Sequence, residues 1–322
     1  MVFQLEPFDA ATAAAIWTAA CGRDLAISPG FVEYNTRPAT GAFQAGQLAM
    51  RNDQPVGFVL ASVLPADPAT SPPEVGWIDA IAVLPAFQRQ GIGSALLSWA
   101  EGWLAGQGCT HSRLGASLRP FAPGLPVQLG TEAVFRARGY CERPGSAYVW
   151  DVARDLSDYG YSARSGLPPL ASDIRIRPAR PGQEEALMAF LLREFPGRWR
   201  FECQELMREG ERISDAMLLW TGRGVDGFCW MTMEDSRRPI ERFFMHRLPR
   251  PWGQLGPIGV SRDCRGRGYG AALLDAAIVY LRGTGVRGCV IDWTSLLEFY
   301  AGFGFEPYRQ YAILLKQLAR SD

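Results

Sequence analysis

Two glycine-rich phrases hold the residues whose types and spacing are best suited to chemistry. "LPAFQRQGIGSALL" runs from Leu84 to Leu97, and "RDCRGRGYGAALL" runs from Arg262 to Leu274. Each follows a strand-like apolar segment and precedes a helical pattern. This order places backbone N–H groups at a helix start, where the dipole favours an anion, and glycine lets phosphate oxygens approach the backbone. The phrases therefore predict two pyrophosphate-binding loops.

The two phrases differ from two other phosphate-binding motifs, the Walker A loop and the dinucleotide fingerprint. Neither phrase continues into Gly-Lys-Ser/Thr, which excludes a Walker A loop. A dinucleotide fingerprint lies at the first strand-to-helix turn of its domain, whereas these phrases come late in each half. Asp292 follows the second phrase at about the distance of that fingerprint's acidic residue, about 20 positions, so the dinucleotide alternative stays open.

The elements that must position these loops occur twice. Gly268 and Gly270 follow Gly91 and Gly93 by 177 residues, about half of the 322-residue chain. Each half begins with a strand, a turn and an amphipathic helix, and ends with a Gly-aromatic turn and a strand. The order of elements predicts an α/β fold in each half. A Ser-, Gly- and Pro-rich linker at 157–172 separates the predicted domains 1–156 and 173–322.

Composition excludes several classes of function. Lys plus Arg and Asp plus Glu balance at 33 each, which gives no electrostatic case for nucleic acid or a membrane surface. With only two histidines, we expect no metal site. Seven scattered cysteines without a C-x-x-C pair, together with an N-terminus unlike a secretory signal, predict a cytoplasmic protein with reduced thiols. Both a monomer and a homodimer are consistent with the sequence.

The segments "VLPAFQRQGIGSALL" and "VSRDCRGRGYGAALL" resemble the acetyl-CoA-binding motif of the GNAT N-acetyltransferase superfamily, V-x-x-x-x-Q/R-x-x-G-x-G/A. The resemblance covers both halves and implies two tandem GNAT domains, each with a mixed central sheet flanked by helices, and acetyl-CoA as co-substrate. It implies that the preceding strand binds the pantetheine arm through Ile81, Ala82 and Val83 in the first half, and Ile258, Gly259 and Val260 in the second. The implied pyrophosphate loops are Gln88, Arg89, Gln90, Gly91, Ile92, Gly93 and Ser94, and Arg265, Gly266, Arg267, Gly268, Tyr269, Gly270 and Ala271.

The resemblance makes the two halves unequal in their acid. GNAT enzymes often have a tyrosine that protonates the departing CoA thiolate, in a pattern like F-Y-x-x-x-G-F. "FYAGFGF" matches it with Tyr300, whereas the first half has Phe135 at that position. The C-terminal half is therefore expected to be catalytic, and the N-terminal half to bind CoA weakly or serve as a scaffold. The first half also has 12 extra residues, expected as an ordered non-helical loop within Leu118 to Gly130.

The candidates for a general base are distributed differently. Asp79 lies on the strand that leads into the first loop, where GNAT enzymes often place such a group. The corresponding strand of the second half, "GQLGPIG", has no carboxylate, and its candidates are Asp292 and Glu241. A third arrangement, with catalysis shared between the halves, would bring Asp79 close to Tyr300.

The expected function is N-acetyl transfer from acetyl-CoA to a primary amine of a small molecule or peptide, by direct attack of the amine. The alternative is a CoA-binding regulatory or scaffold protein that has lost catalysis. Tandem relatives that act on a thiol precursor are expected to carry a D-x-x-N-x-x-A segment, which "VIDWTSLLEFYAGFGF" lacks. The acceptor therefore stays open.

Overall fold

A computed structural model describes residues 3–142, 145, 147–160, 170–240 and 247–319. The described residues form two compact units. Unit 1 holds those up to Val149 together with those from Arg309 onward, and unit 2 holds those from Trp150 to Tyr308. Within the described ranges, no helix is long and apolar enough to cross a bilayer.

Unit 1 is built on a seven-stranded mixed sheet. Its strands are β1 (Gln4–Pro7), β2 (Phe43–Arg51), β3 (Gln54–Val63), β4 (Val75–Val83), β5 (His111–Leu114), β7 (Cys141–Glu142) and β15 (Leu314–Gln317). The short strand β6 (Leu125–Pro126) is not part of this sheet. The seven strands lie in the order β1-β2-β3-β4-β5-β15-β7, and only β4 and β5 run parallel. Its helices are α1 (Ala10–Cys21), α2 (Pro29–Asn35), α3 (Ile92–Gly106) and α4 (Glu132–Arg136).

Local sequence explains where the unit 1 helices begin and which faces they bury. Asp9 caps α1 by accepting a hydrogen bond from the Thr12 amide at 2.7 Å, and Ser28 with Pro29 starts α2. Helix α3 buries Leu96, Leu97, Ala100 and Leu104 at three- and four-residue spacing against the sheet. The helix predicted after the first glycine phrase is therefore confirmed.

Unit 2 repeats this layout. Its strands are β8 (Tyr148–Asp155), β9 (Arg175–Pro178), β10 (Ala216–Thr221), β11 (Gly224–Met233), β12 (Trp252–Val260), β13 (Gly288–Thr294) and β14 (Glu306–Ala312), of which β8 begins and β14 ends in unit 1. Six of them lie in the order β8-β13-β12-β11-β10-β9, with β12 and β13 parallel. Its helices are α5 (Glu184–Glu194), α6 (Arg198–Arg208), α7 (Tyr269–Gly283) and α8 (Leu297–Ala301).

The packing does not follow the linear division into 1–156 and 173–322. The last strand of the chain, β15, pairs with β5 in unit 1, with Leu315 opposite Arg113. The strand that ends the first half, β8, pairs with β13 in unit 2, with Val152 opposite Ile291. Each sheet is thus completed by a strand from the other half of the sequence. Residues 161–169 of the expected linker lie outside the described residues.

Candidate active site

Strands β4 and β5 separate at the point where β4 carries Asp79. The two strands pair from Val75 opposite His111 to Ile78 opposite Leu114, where β5 ends, so 79–83 continue past the paired segment. On the other side, β3 pairs its Leu60 with Ala80 and its next residue with Ile78, which leaves Asp79 as the extra residue of a β-bulge. Such bulges redirect a side chain beside a functional site.

A cleft of about 870 Å³ opens where the strands separate. All of its lining residues belong to unit 1. The pantetheine strand expected from the sequence, Ile81 to Val83, lines it, and so do five residues of the expected pyrophosphate loop: Gln88, Arg89, Gly91, Gly93 and Ser94. Gln90 and Ile92 of that loop are not part of the lining; Gln90 accepts a hydrogen bond from Arg51, and Ile92 is buried in the core.

The loop presents an uncapped helix start to this cleft. Gly91 is the N-cap of α3 at φ +86°, and no side chain caps the helix. A side chain at Gly91 would meet nothing within 4 Å, so the space before the first N–H groups is open. Arg89 has φ +61°, an unusual value for a residue with a side chain. Arg89 and Arg138 both line the cleft, and Arg138 donates a hydrogen bond to the Ser94 hydroxyl. These features suit a bound anion.

Asp79 is the carboxyl group of the cleft. Only 3% of the residue is exposed, and it lines the cleft. Its carboxylate accepts hydrogen bonds from the Ser62 hydroxyl at 2.8 Å and from the Gln44 amide at 3.0 Å. Burial raises the pKa of Asp79 from 3.8 to about 6, against the lowering effect of hydrogen bonds from Ser117, Gln44 and Ser62. Asp79 is therefore ionised at neutral pH and close to the pKa suited to accepting a proton.

One wall of the cleft is a segment that the second half lacks. The wall segment, residues 115–130, is mostly buried and contains no α-helix, although Val127–Leu129 of the loop expected at 118–130 form one turn of 3-10 helix. Phe121 anchors it, with ring centroids 5.8 Å from Trp17 and 5.7 Å from Phe31. The segment brings Ser117 to the Asp79 carboxylate. Sequence reasoning missed Ser117 and Arg138, because only the fold brings them to the cleft.

Unit 2 repeats the loop, and aromatic rings pack beside the strand that precedes it. Gly266 and Gly268 have φ +75° and +77°, matching Arg89 and Gly91, and α7 likewise begins without a side-chain cap. A methyl group built on Gly259, which aligns with Ala82, would lie 2.5 Å from the Phe195 ring and 2.8 Å from the Trp199 ring. Phe195 follows directly after α5, whereas the corresponding helix α1 ends at Cys21, which lines the unit 1 cleft. The two aromatic rings therefore pack beside Gly259, while residues 256–260 of β12 stay partly exposed.

The expected catalytic residues of unit 2 lie in a different setting. Position 256, which aligns with Asp79, is a glycine, and Asp292 lies near it, partly buried. Tyr300 is 4% exposed in the unit 2 core, 5.1 Å from the Phe299 ring centroid. Burial raises the pKa of Tyr300 above its usual value.

Both units have a packed pair of one tyrosine and one phenylalanine at aligned positions. Tyr300 packs against Phe305 with ring centroids 6.4 Å apart, and at the aligned positions Phe135 packs against Tyr140 at 5.8 Å. The tyrosine is therefore the first residue of the pair in unit 2 and the second residue of the pair in unit 1. In unit 1 the hydroxyl lies on Tyr140, within 2.8 Å of Ser112 and 3.0 Å of Glu101.

The remaining residues predicted from the sequence are two arginines of the second loop and Glu241. Arg265 and Arg267 of the second loop are exposed. Within the described ranges, no group of three His, Cys, Asp or Glu side chains could hold a metal ion. Glu241 lies outside the described residues.

The Acetyltransferase (GNAT) family matches residues 13–119 and 185–305, one match in each half. A curated relative, mycothiol acetyltransferase of Actinosynnema mirum, is 26% identical over 241 residues, covering 72% of this chain and 73% of that protein.

Two solved structures have the same fold. One is a GCN5-related glucosamine N-acetyltransferase region of a fungal multi-domain GH3 beta-N-acetylglucosaminidase, with TM-score 0.85, 23% identity, and coverage of 98% of this chain and 38% of that chain. The other is a tandem GNAT protein from the clavulanic acid biosynthesis pathway, with TM-score 0.69, 18% identity and full coverage of both chains. The chain belongs to the acetyltransferase (GNAT) family and is an acetyl-CoA-dependent N-acetyltransferase with two copies of the family's domain.

Proposed function

We propose that unit 1 transfers the acetyl group of acetyl-CoA to a primary amine in the cleft beside Asp79. The observation that carries this proposal is the buried Asp79 carboxylate in the same cleft as the first glycine loop. The sequence alone favoured unit 2 because of Tyr300. Unit 1 is favoured because its cleft holds the Asp79 carboxylate, whereas the aligned position in unit 2 is Gly256.

The cleft residues fit acetyl-CoA. The amides at the start of α3, with Arg89 and Arg138, would hold the pyrophosphate, and the backbone of Ile81 to Val83 would hold the pantetheine arm. When bound, acetyl-CoA supplies an activated thioester. The backbone amides of β4 beyond its paired segment would stabilise negative charge on the carbonyl oxygen.

Asp79 would act as the general base. Its carboxylate takes a proton from the acceptor ammonium, the freed amine forms a bond to the acetyl carbon, and the carbon–sulfur bond breaks. The aligned Phe135 has no proton to donate, so the sulfur leaves as a thiolate. The acetylated nitrogen releases its second proton, and the thiolate takes up that proton through water. Burial among uncharged donors holds the carboxylate beside the separated strands, where the acceptor amine would meet it.

An acetylation assay over a range of amines tests this proposal. Asp79→Asn keeps the size of the side chain and removes the base, so we expect kcat to fall by about 10²- to 10⁴-fold with little change in KM for acetyl-CoA. The matched control is Asp292→Asn in unit 2, which we expect to keep wild-type turnover. Loss of turnover in Asp292→Asn with retention in Asp79→Asn would overturn the proposal.

The competing site is in unit 2, with acetyl-CoA on Arg265 to Ala271, Tyr300 as the acid and Asp292 as the base. Its supporting observation is the loop geometry that unit 2 shares with unit 1. Phe195 and Trp199 pack beside Gly259 on its pantetheine strand. The same pair of variants distinguishes the two sites, because this alternative predicts the reverse result.

The acceptor is proposed only as an amine. The name mycothiol acetyltransferase belongs to the curated relatives, and this chain lacks the D-x-x-N-x-x-A segment expected of tandem enzymes with a thiol precursor as acceptor. A CoA-binding regulatory protein without catalysis is the function that the assay would reveal if no amine were acetylated.

A further inference from the structure

The positive and negative side chains that line the unit 1 cleft come from different elements of the fold. Of the cleft's arginines, Arg89 belongs to the loop and Arg138 follows the end of α4. Arg138 donates a hydrogen bond to Ser94 at the start of α3. The negative charge comes from Asp79, which is the one carboxylate that the described part of the chain contributes to the lining. The positive end suits phosphate groups, and the negative end suits a single ammonium.

The Asp79 carboxylate is bound only by uncharged donors among its assigned hydrogen-bond partners. Gln44 and Ser62 donate to it, Ser117 lowers its pKa, and none of the three carries a positive charge that would neutralise it. An acceptor ammonium would therefore supply the missing countercharge when it binds. A buried charge that lacks a partner is unfavourable, so this site favours one cationic group.

The wall segment adds no charge beside Asp79. Its cleft-lining residues are uncharged: Gly115, Ala122, Gly124, Leu125, Pro126 and Leu129. Its arginine, Arg119, donates to the Tyr34 carbonyl oxygen at 3.1 Å and lies over the Tyr34 ring. From the side of α1, Trp17, Ala20 and Cys21 complete an apolar surface. A second ammonium on the acceptor would meet apolar groups here.

We propose that the acceptor of unit 1 is a monoamine whose body is uncharged and partly apolar, and that polyamines and other polycations are excluded from the cleft. This inference rests on the proposed function, since it names the substrate class of the same site. The wall segment and the lone Asp79 together determine the preference: the carboxylate attracts one ammonium, and the uncharged wall penalises a second.

Two isosteric amines test this inference. 4-Ethylbenzylamine and 1,4-bis(aminomethyl)benzene have the same number of heavy atoms and differ only in a methyl group that is replaced by a second ammonium. Calorimetry on the wild-type complex with CoA measures binding, and the acetylation assay measures kcat/KM. We expect the monoamine to bind at least about tenfold more tightly and to be acetylated at least about tenfold more efficiently. Asp79→Asn should weaken both amines by similar factors, because both use the same first ammonium.

The outcomes separate the inference from the proposed function. Equal or tighter binding of the diamine, or binding of neither amine, would overturn the inference. Tighter binding of the monoamine without any acetyl transfer would support the inference and count against the proposed function. Preference for the monoamine in both measurements supports both.

Discussion

At the scale of single residues, Asp79 is buried and also lines the cleft. The β-bulge turns it away from the strand pairing, and neutral donors hold its carboxylate. The sequence predicted Asp79 as a candidate base from its place before the glycine loop. It could not predict the Ser117 contact, because that contact depends on how the 115–130 segment folds back over α1.

The pH dependence of catalysis follows from this environment. Because the pKa of Asp79 is about 6, kcat/KM should rise about tenfold per pH unit below pH 6 and level off above it, as the carboxyl group loses its proton. Ser117→Ala removes a hydrogen bond that lowers this pKa. We therefore expect the rising limb to move to higher pH by up to about one unit.

The control for this prediction is Ser112→Ala, since Ser112 bonds to Tyr140 rather than to Asp79. Its pH profile should match that of the wild type. A profile unaffected by Ser117→Ala, or shifted equally by both variants, would show that the Ser117 hydrogen bond does not control the ionisation of the base.

At the scale of elements, both glycine loops form the same turn, and the first of them opens into a cleft that Asp79 lines. The spacing of the glycines allowed the turn and the following helix to be predicted in each half. The packing of Phe195 and Trp199 beside Gly259 could not be predicted, because these residues lie about 60 positions apart in the sequence.

A matched pair of substitutions separates binding from stability. Gly91→Ala and Gly268→Ala each place a side chain at a positive φ, so both should lower the free energy of unfolding by about 1–2 kcal/mol. Only Gly91→Ala should also raise KM for acetyl-CoA, by about tenfold or more, because strain at this turn would displace the amides at the start of α3 that bind the anion. Chemical denaturation and steady-state kinetics give the two readouts.

Two results would argue against this assignment of the loops. One is an unchanged KM in Gly91→Ala, which would mean that the first loop does not hold the pyrophosphate. The other is an increase in KM confined to Gly268→Ala, which would move cofactor binding to unit 2.

At the scale of the whole molecule, the duplication seen in the sequence appears as two units of the same fold. Which sheet each terminal strand joins was not predictable from its pattern. Both β8 and β15 are strand-like segments with buried residues, and β5 and β13 each provide a compatible antiparallel partner in the structure. Because the halves arise from one repeated pattern, local sequence alone does not distinguish exchanged from unexchanged pairing.

The central claim is that acetyl transfer takes place in unit 1. A crystal structure of the protein with saturating CoA tests it most directly, because it reports both the number of bound molecules and their position. We predict one CoA per chain, with its pyrophosphate on the amides that follow Gly91 and its thiol directed toward Asp79. CoA bound on Gly266 to Ala271, with Phe195 displaced and the thiol beside Tyr300, would contradict the account.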